Sequence, residues 1–225
     1  MSLRHEPLTL VFDLDGTLVD TAPDLIVATN HVMSALKLPP ADEAVLRAQV
    51  SHGALAMIRA GIGAEAADWP EARLYPLFDR FITYYKANIS AHSRPFPGLM
   101  AALDRCEAHG HTLAVCTNKQ ESLARQLLDD LAMTPRFKAI AGRDTFPVCK
   151  PDPGHLTATI AAAGGNPSRA VMVGDSGVDV ATAKAAGIPV IAVSFGYSEP
   201  AVATFSPTIV IDHFDDFDRD RKSVV

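Results

Sequence analysis

The stretch LTLVFDLDGTLVD, Leu8–Asp20, opens as an apolar run and ends abruptly in two aspartates, a glycine and a threonine. Leu8, Leu10, Val11 and Phe12 carry no charge and suit a central strand buried on both faces. At its end Asp13 and Asp15 stand two positions apart, so an extended chain sends both carboxylates to the same side. Like charges in one small space share a proton or take a cation between them, which points to metal binding joined to acid–base or nucleophilic work. Gly16 lets backbone amides approach an anion and the Thr17 hydroxyl adds a donor, so the turn reads as a phosphate site. Asp-Gly alone is an ordinary turn. A second aspartate beside a buried strand end needs a compensating partner.

Composition bounds what surrounds this stretch. A chain of 225 residues, 48% hydrophobic and 20% charged, fits one large domain or a main domain with a smaller insertion. No apolar run is long enough to cross a bilayer, and MSLRHEPLTL at the N-terminus lacks the apolar core of a secretion signal. Cys106, Cys116 and Cys149 are odd in number and form no CxxC pair, against both a disulfide framework and a structural zinc site. Reduced thiols in the cytoplasm are expected, with Cys149 beside Lys150 a candidate for oxidation sensitivity. The formal charge of −6 gives no basic footprint for nucleic acid. The expected partner is a small anionic molecule, not nucleic acid or a membrane, with the chain a monomer or homodimer.

After the first strand, Thr21 is expected to cap a helix that carries Pro23 in its first turn and stops before the prolines at 39 and 40. A helix from about Asp42 to Val50 and another from Ala54 to Ala60, closed by Gly61, follow around Ser51–Gly53. Asp68 and Glu71 have capping-box spacing and start a helical pattern to about Asn88, which Pro76 is expected to kink or break. No strand is predicted from Ala22 to about Ala91, so this stretch reads as a helical domain inserted after the first strand, with Ser90–Gly98 as the return crossing. The expected domains are 1–20 with 92–225, and 21–91.

Beyond the insertion, strands and helices alternate. Strands are predicted at Leu113–Cys116, Phe137–Ala141, Val171–Val173, Val190–Val193 and near Thr208–Ile211, with helices at Met100–His109 ending at Gly110, at Ser122–Leu131, at Pro153–Ala163 stopped by Gly164 and Gly165, and after GDSGVD to Ala186 and Gly187. The acidic run from Asp212 to Lys222 reads as a solvated end helix. The βα alternation implies an α/β, Rossmann-like, mostly parallel sheet, which binds ligands at the carboxyl ends of its strands. Polar clusters occur there: Asp13 and Asp15, Thr117 and Asn118 before Lys119, and Asp175 in GDSGVD, while Lys150 precedes a helix in KPDP. Read physically, Asp13 attacks phosphorus and holds the phosphoryl group as an acyl phosphate. Magnesium is held by Asp13, the backbone carbonyl of Asp15, and Asp175. Lys150 adds a positive charge, Gly16, Thr17, Thr117, Asn118 and Lys150 hold phosphate oxygens, and Asp15 serves as acid, then base. Asp179 either supports Asp175 or caps its helix locally.

These residues resemble the haloacid dehalogenase superfamily over nearly the whole chain: DLDGT as motif I, Thr117 as motif II, Lys150 as motif III and GDSGVD as motif IV. APDL at Ala22–Leu25 resembles the phosphoglycolate phosphatase branch. The resemblance implies a magnesium-dependent phosphomonoesterase working through an aspartyl phosphate, with the helical insertion as a C1-type cap that sets specificity. Asp15 separates the chain from the dehalogenases and phosphonatases, which depart at that position. Arg47, His52 and Arg59 are the cap groups expected to meet the substrate's far end. The branch's GxG turn is absent, SHGALAM standing at Ser51–Met57, so sugar and amino-sugar phosphates remain alternatives to 2-phosphoglycolate. A phosphosugar mutase and a silent binding module on the same fold stay open beside the phosphatase.

Overall fold

A computed structural model describes residues 7–217, so the first six residues and the end of the acidic tail lie outside the described residues. The chain runs through β1 (Thr9–Phe12) and β2 (Val19–Asp20) into four helices, α1 (Ala22–Ala35), α2 (Glu43–Arg47), α3 (Ala54–Ile62) and α4 (Glu71–Ala87), and then β3 (Arg94–Pro95). From there it alternates: α5 (Leu99–Ala108), β4 (Thr112–Cys116), α6 (Glu121–Asp130), β5 (Ala139–Ala141), α7 (Pro153–Ala162), β6 (Ala170–Gly174), α8 (Gly177–Ala185), β7 (Val190–Val193) and β8 (Ile209–Ile211). Two compact units result, residues 20–94 and the remainder.

In the larger unit β1 is central. The sheet order is β5-β4-β1-β6-β7-β8, all parallel, with Thr9 opposite both Thr112 and Ala170. Every residue of β1 is buried, as its uncharged run requires. Alternate residues divide between the faces: Val11, Ala114, Cys116, Met172, Val190 and Ala192 pack with Leu156 and Ile160 of α7 and Val180 and Ala183 of α8. Phe12 belongs to the other set, its ring 5.9 Å from that of Phe217, which in turn lies 6.1 Å from Phe214. Phe214 and Phe217 are fully buried, each worth about 1.5–3 kcal/mol of apolar transfer. The described start of the acidic run is therefore a 3-10 turn anchored in the core rather than a solvated helix, because the aromatic residues between its aspartates bury.

In the helical unit, α1, α3 and α4 pack on one another. Gly61 lies inside α3, where a Cβ would stand 3.1 Å from Met33 Sδ and 3.2 Å from Thr29 Cγ2, so its use is close helix approach. The helix stop is Gly63, at φ +82°. Thr21 occupies the N-cap position of α1 without a side-chain cap bond, whereas Asp42 caps α2 by accepting from the Val45 amide at 3.1 Å. Asp68 and Glu71 form no capping box, since Pro70 holds the N-cap position of α4, and α4 continues through Pro76. Asp24, the acid of APDL, accepts from the His92 and Ser93 amides and the Ser93 hydroxyl at 2.7–3.0 Å. That buried carboxylate ties α1 to the segment leaving the unit, a physical reason for the APDL pattern.

Candidate active site

Asp13 follows β1 and continues its ladder, its amide donating to the Val173 carbonyl at 2.8 Å. The chain then turns: the Leu14 carbonyl accepts from the Leu18 and Val19 amides, and the Gly16 amide donates to Val19, each at 3.0 Å. Gly16 sits at φ +84°, where a Cβ would fall 2.5 Å from Asp175 Oδ2. Its amide is committed to Val19, so its contribution is conformational and steric. The Thr17 hydroxyl donates to Asp175 Oδ1 at 3.1 Å, and the Tyr197 amide donates to Asp175 Oδ2 at 2.8 Å. Both bonds orient a carboxylate that is 1% exposed at the end of β6.

Asp13 and Asp15 each pair with a lysine, and not with the same one. Lys150 Nζ lies 2.9 Å from Asp13 and 2.6 Å from Asp179, while Lys119 Nζ lies 2.8 and 3.1 Å from the two oxygens of Asp15. Each aspartate of motif I has its own ammonium. Lys119 stands among the polar residues after β4 and was not among the expected site residues. Asp15 is 104 positions away, so no local pattern joins them. Thr117 is buried, its hydroxyl accepting from the Lys119 amide at 3.2 Å, and Asn118 donates to the Lys150 carbonyl at 3.0 Å. Asn118 thus holds the loop that carries Lys150.

Asp179 is fully buried at the start of α8. It closes a capping box with Ser176 at the start of α8, and it completes a cluster with Asp13 and Asp175 whose ligand atoms lie within 4.8 Å of one another. Burial, then the Asp179 and Asp15 charges, push the Asp13 carboxyl up to about 6 against the opposing pull of Lys150. Burial and the charges of Asp179 and Asp13 raise Asp175 well above the ordinary carboxylate range. Burial alone would lower Lys150, but Asp13 and Asp179 outweigh it and keep the ammonium charged. Three clustered carboxylates, two of them paired with Lys150, leave a formal excess of two negative charges. A divalent cation fits that balance and the all-oxygen donor set.

The three cap candidates lie in the helical unit. Arg47 pairs with Asp20 at 3.5 Å, and His52 is exposed at the end of a 3-10 turn. The Arg59 guanidinium donates to the carbonyls of Ala66, Ala67 and Trp69, holding the turn before α4. Among the described residues no helix is long and apolar enough to cross a membrane.

The family model for haloacid dehalogenase-like hydrolase matches residues 10–193. A phosphoglycolate phosphatase of Mesorhizobium japonicum is 50% identical over 206 residues, covering 92% of this chain and 91% of that protein. An N-acetylmuramic acid 6-phosphate phosphatase of Pseudomonas aeruginosa is 35% identical, covering 91% of this chain and 90% of that protein. A solved structure named a predicted phosphoglycolate phosphatase, from Haemophilus somnus, superposes with a TM-score of 0.87 at 26% identity and covers 98% of this chain and 100% of that one. The chain belongs to the haloacid dehalogenase-like hydrolase family and is a phosphatase.

Proposed function

We propose that the chain is a magnesium-dependent phosphomonoesterase whose substrate is 2-phosphoglycolate. The observation that carries the reading is the buried cluster of Asp13, Asp175 and Asp179, with Lys150 paired to the first and last of them. The Mesorhizobium relative's name supports the substrate. In this reading Asp13 attacks phosphorus in line and takes the phosphoryl group as an aspartyl phosphate. Lys150 offsets charge on Asp13 and on the phosphate, and Thr117 holds a phosphate oxygen. Asp15 gives its proton to the leaving oxygen and later takes one from the hydrolytic water. Asp13, Asp175 and the main-chain carbonyl of Asp15 would hold magnesium, with Asp179 beside them; bound there it supplies Lewis-acid neutralisation of the phosphate. The helical unit corresponds to the family's cap.

The Pseudomonas relative's name favours a second reading, an amino-sugar phosphate as substrate. Cys106, Cys116 and Cys149, none of them in a disulfide, support a cytoplasmic setting, with the enzyme acting as a monomer or homodimer. The test is phosphate release from 2-phosphoglycolate, sugar phosphates, amino-sugar phosphates and nucleotides, with magnesium and after chelation, beside Asp13→Asn. The reading expects the highest kcat/KM for 2-phosphoglycolate, loss on chelation reversed by magnesium, and an inactive Asp13→Asn. A higher kcat/KM for another ester would overturn the substrate and leave the chemistry standing.

A further inference from the structure

Lys119 is the charged group that the proposed reaction leaves without a task. Its side chain is 7% exposed, and its ammonium bonds both oxygens of Asp15, whose own side chain is 21% exposed. The main chain around it is clamped. The Lys119 amide donates to the Thr117 hydroxyl at 3.2 Å, and its carbonyl accepts from the Arg143 amide at 2.9 Å. Gly142 permits this approach, since a Cβ there would fall 2.7 Å from the Lys119 carbonyl and 2.2 Å from the Glu121 amide. A buried ammonium on a fixed main chain, bound to a less buried carboxylate, is a built feature rather than a surface lysine.

Its position relative to the chemistry gives it a use. In 2-phosphoglycolate the substrate carboxylate is one carbon from the ester oxygen that leaves. A group close enough to give that oxygen its proton, here Asp15, is therefore also close to the substrate carboxylate, and once the proton is given the two anions repel. Lys119, in contact with Asp15, is the cation placed to offset that repulsion. An ester whose leaving group is uncharged presents no second anion and gains little from it. The arginines of the helical unit considered as readers of the substrate already have partners, Asp20 for Arg47 and three carbonyls for Arg59.

Resting on the phosphatase reading above, we infer that Lys119 is a specificity-determining residue that recognises the substrate's carboxylate from within the sheet unit, selecting phosphate esters of small 2-hydroxy acids over uncharged esters of the same size. The test compares kcat/KM for 2-phosphoglycolate and for ethyl phosphate in wild type, Lys119→Met and Lys119→Arg. The ratio of the two values is expected to fall about ten- to hundredfold in Lys119→Met, the worth of one charge-assisted hydrogen bond, and to be largely kept in Lys119→Arg. An equal loss on both esters would mean that Lys119 only positions Asp15 and would overturn the inference, as would unchanged values on both.

A second measurement needs no variant. Wild type is expected to hydrolyse the amide of 2-phosphoglycolate about ten- to hundredfold less efficiently than the acid; equal rates would overturn carboxylate recognition. Failure of the underlying reading looks different. Wild type would then release no phosphate from 2-phosphoglycolate while hydrolysing another ester, and the inference would fall with it.

Discussion

Lys150 Nζ lies 2.6 Å from Asp179 Oδ1, while Oδ2 of the same carboxylate accepts from the Ser176 amide and hydroxyl at 3.0 and 2.6 Å. One fully buried aspartate thus fixes both the first turn of α8 and the lysine that serves Asp13. Lys150→Met would leave Asp13 and Asp179 buried without their cation, at a cost of about 3–5 kcal/mol. Urea unfolding of the metal-free protein measures it. A midpoint equal to wild type would show that the lysine is not what balances the cluster.

Gly196 is packed against Asp175: a Cβ on it would fall 2.2 Å from Asp175 Cβ and 2.4 Å from Oδ2. Gly196→Ala is expected to displace that carboxylate and weaken activation by magnesium about 10–100-fold, the usual range for groups that orient a metal-binding side chain. Titrating activity with magnesium gives the number directly. An unchanged activation constant would remove Asp175 from the metal's ligands or show that the loop yields freely.

His155 is fully buried beneath the site, with Nε2 3.1 Å from the Gly142 carbonyl and Nδ1 3.6 Å from Cys116 Sγ. Burial pushes the Cys116 thiol up to about 11, so it stays protonated and donates to Nδ1, leaving Nε2–H to donate to Gly142. Burial first, and the Lys150 charge second, hold the imidazole below its ordinary value of 6.5. The unfolded chain therefore takes up a proton that the folded one resists, and this part of the stability is full above about pH 6.5 and lost as pH falls below it. Asp13, raised to about 6, acts in the opposite direction, stabilising as pH falls, and does so in any variant that keeps it. His155→Gln is expected to lose less unfolding free energy than wild type between about pH 7 and pH 5. Parallel pH profiles would refute the assignment.

Arg59 donates to three backbone carbonyls within the helical unit. Arg59→Ala is expected to destabilise by about 1.5–3 kcal/mol while KM for the ester stays within about twofold of wild type. Thermal unfolding and initial-rate kinetics on the same preparation separate these effects. A large rise in KM with no loss of stability would return Arg59 to substrate binding.

Local patterns carried the elements and the motifs. An uncharged run before Asp13 requires a strand buried on both faces, strand and helix periods alternate after Gly98, and Asp179 falls where a local helix cap is expected. Those readings depend on neighbours in sequence, so the sequence was enough. Helix ends were harder: Gly61 against Gly63, and Asp68 against Pro70, differ by tertiary packing and backbone angle, which composition does not display.

What the chain alone determined was the order of strands, the carboxylates at their ends and the chemistry those groups permit. Only the tertiary structure decided which lysine meets which aspartate, that Arg59 is occupied by backbone, that Phe214 and Phe217 close the core beneath Phe12, and that Gly196 and Tyr197 shape Asp175. The physical reason is distance along the chain. Lys119 and Asp15 are 104 positions apart, and Tyr197 and Asp175 are 22 apart, so pairing depends on parallel register rather than on any local period. A single sequence records the charges. Folding assigns their partners.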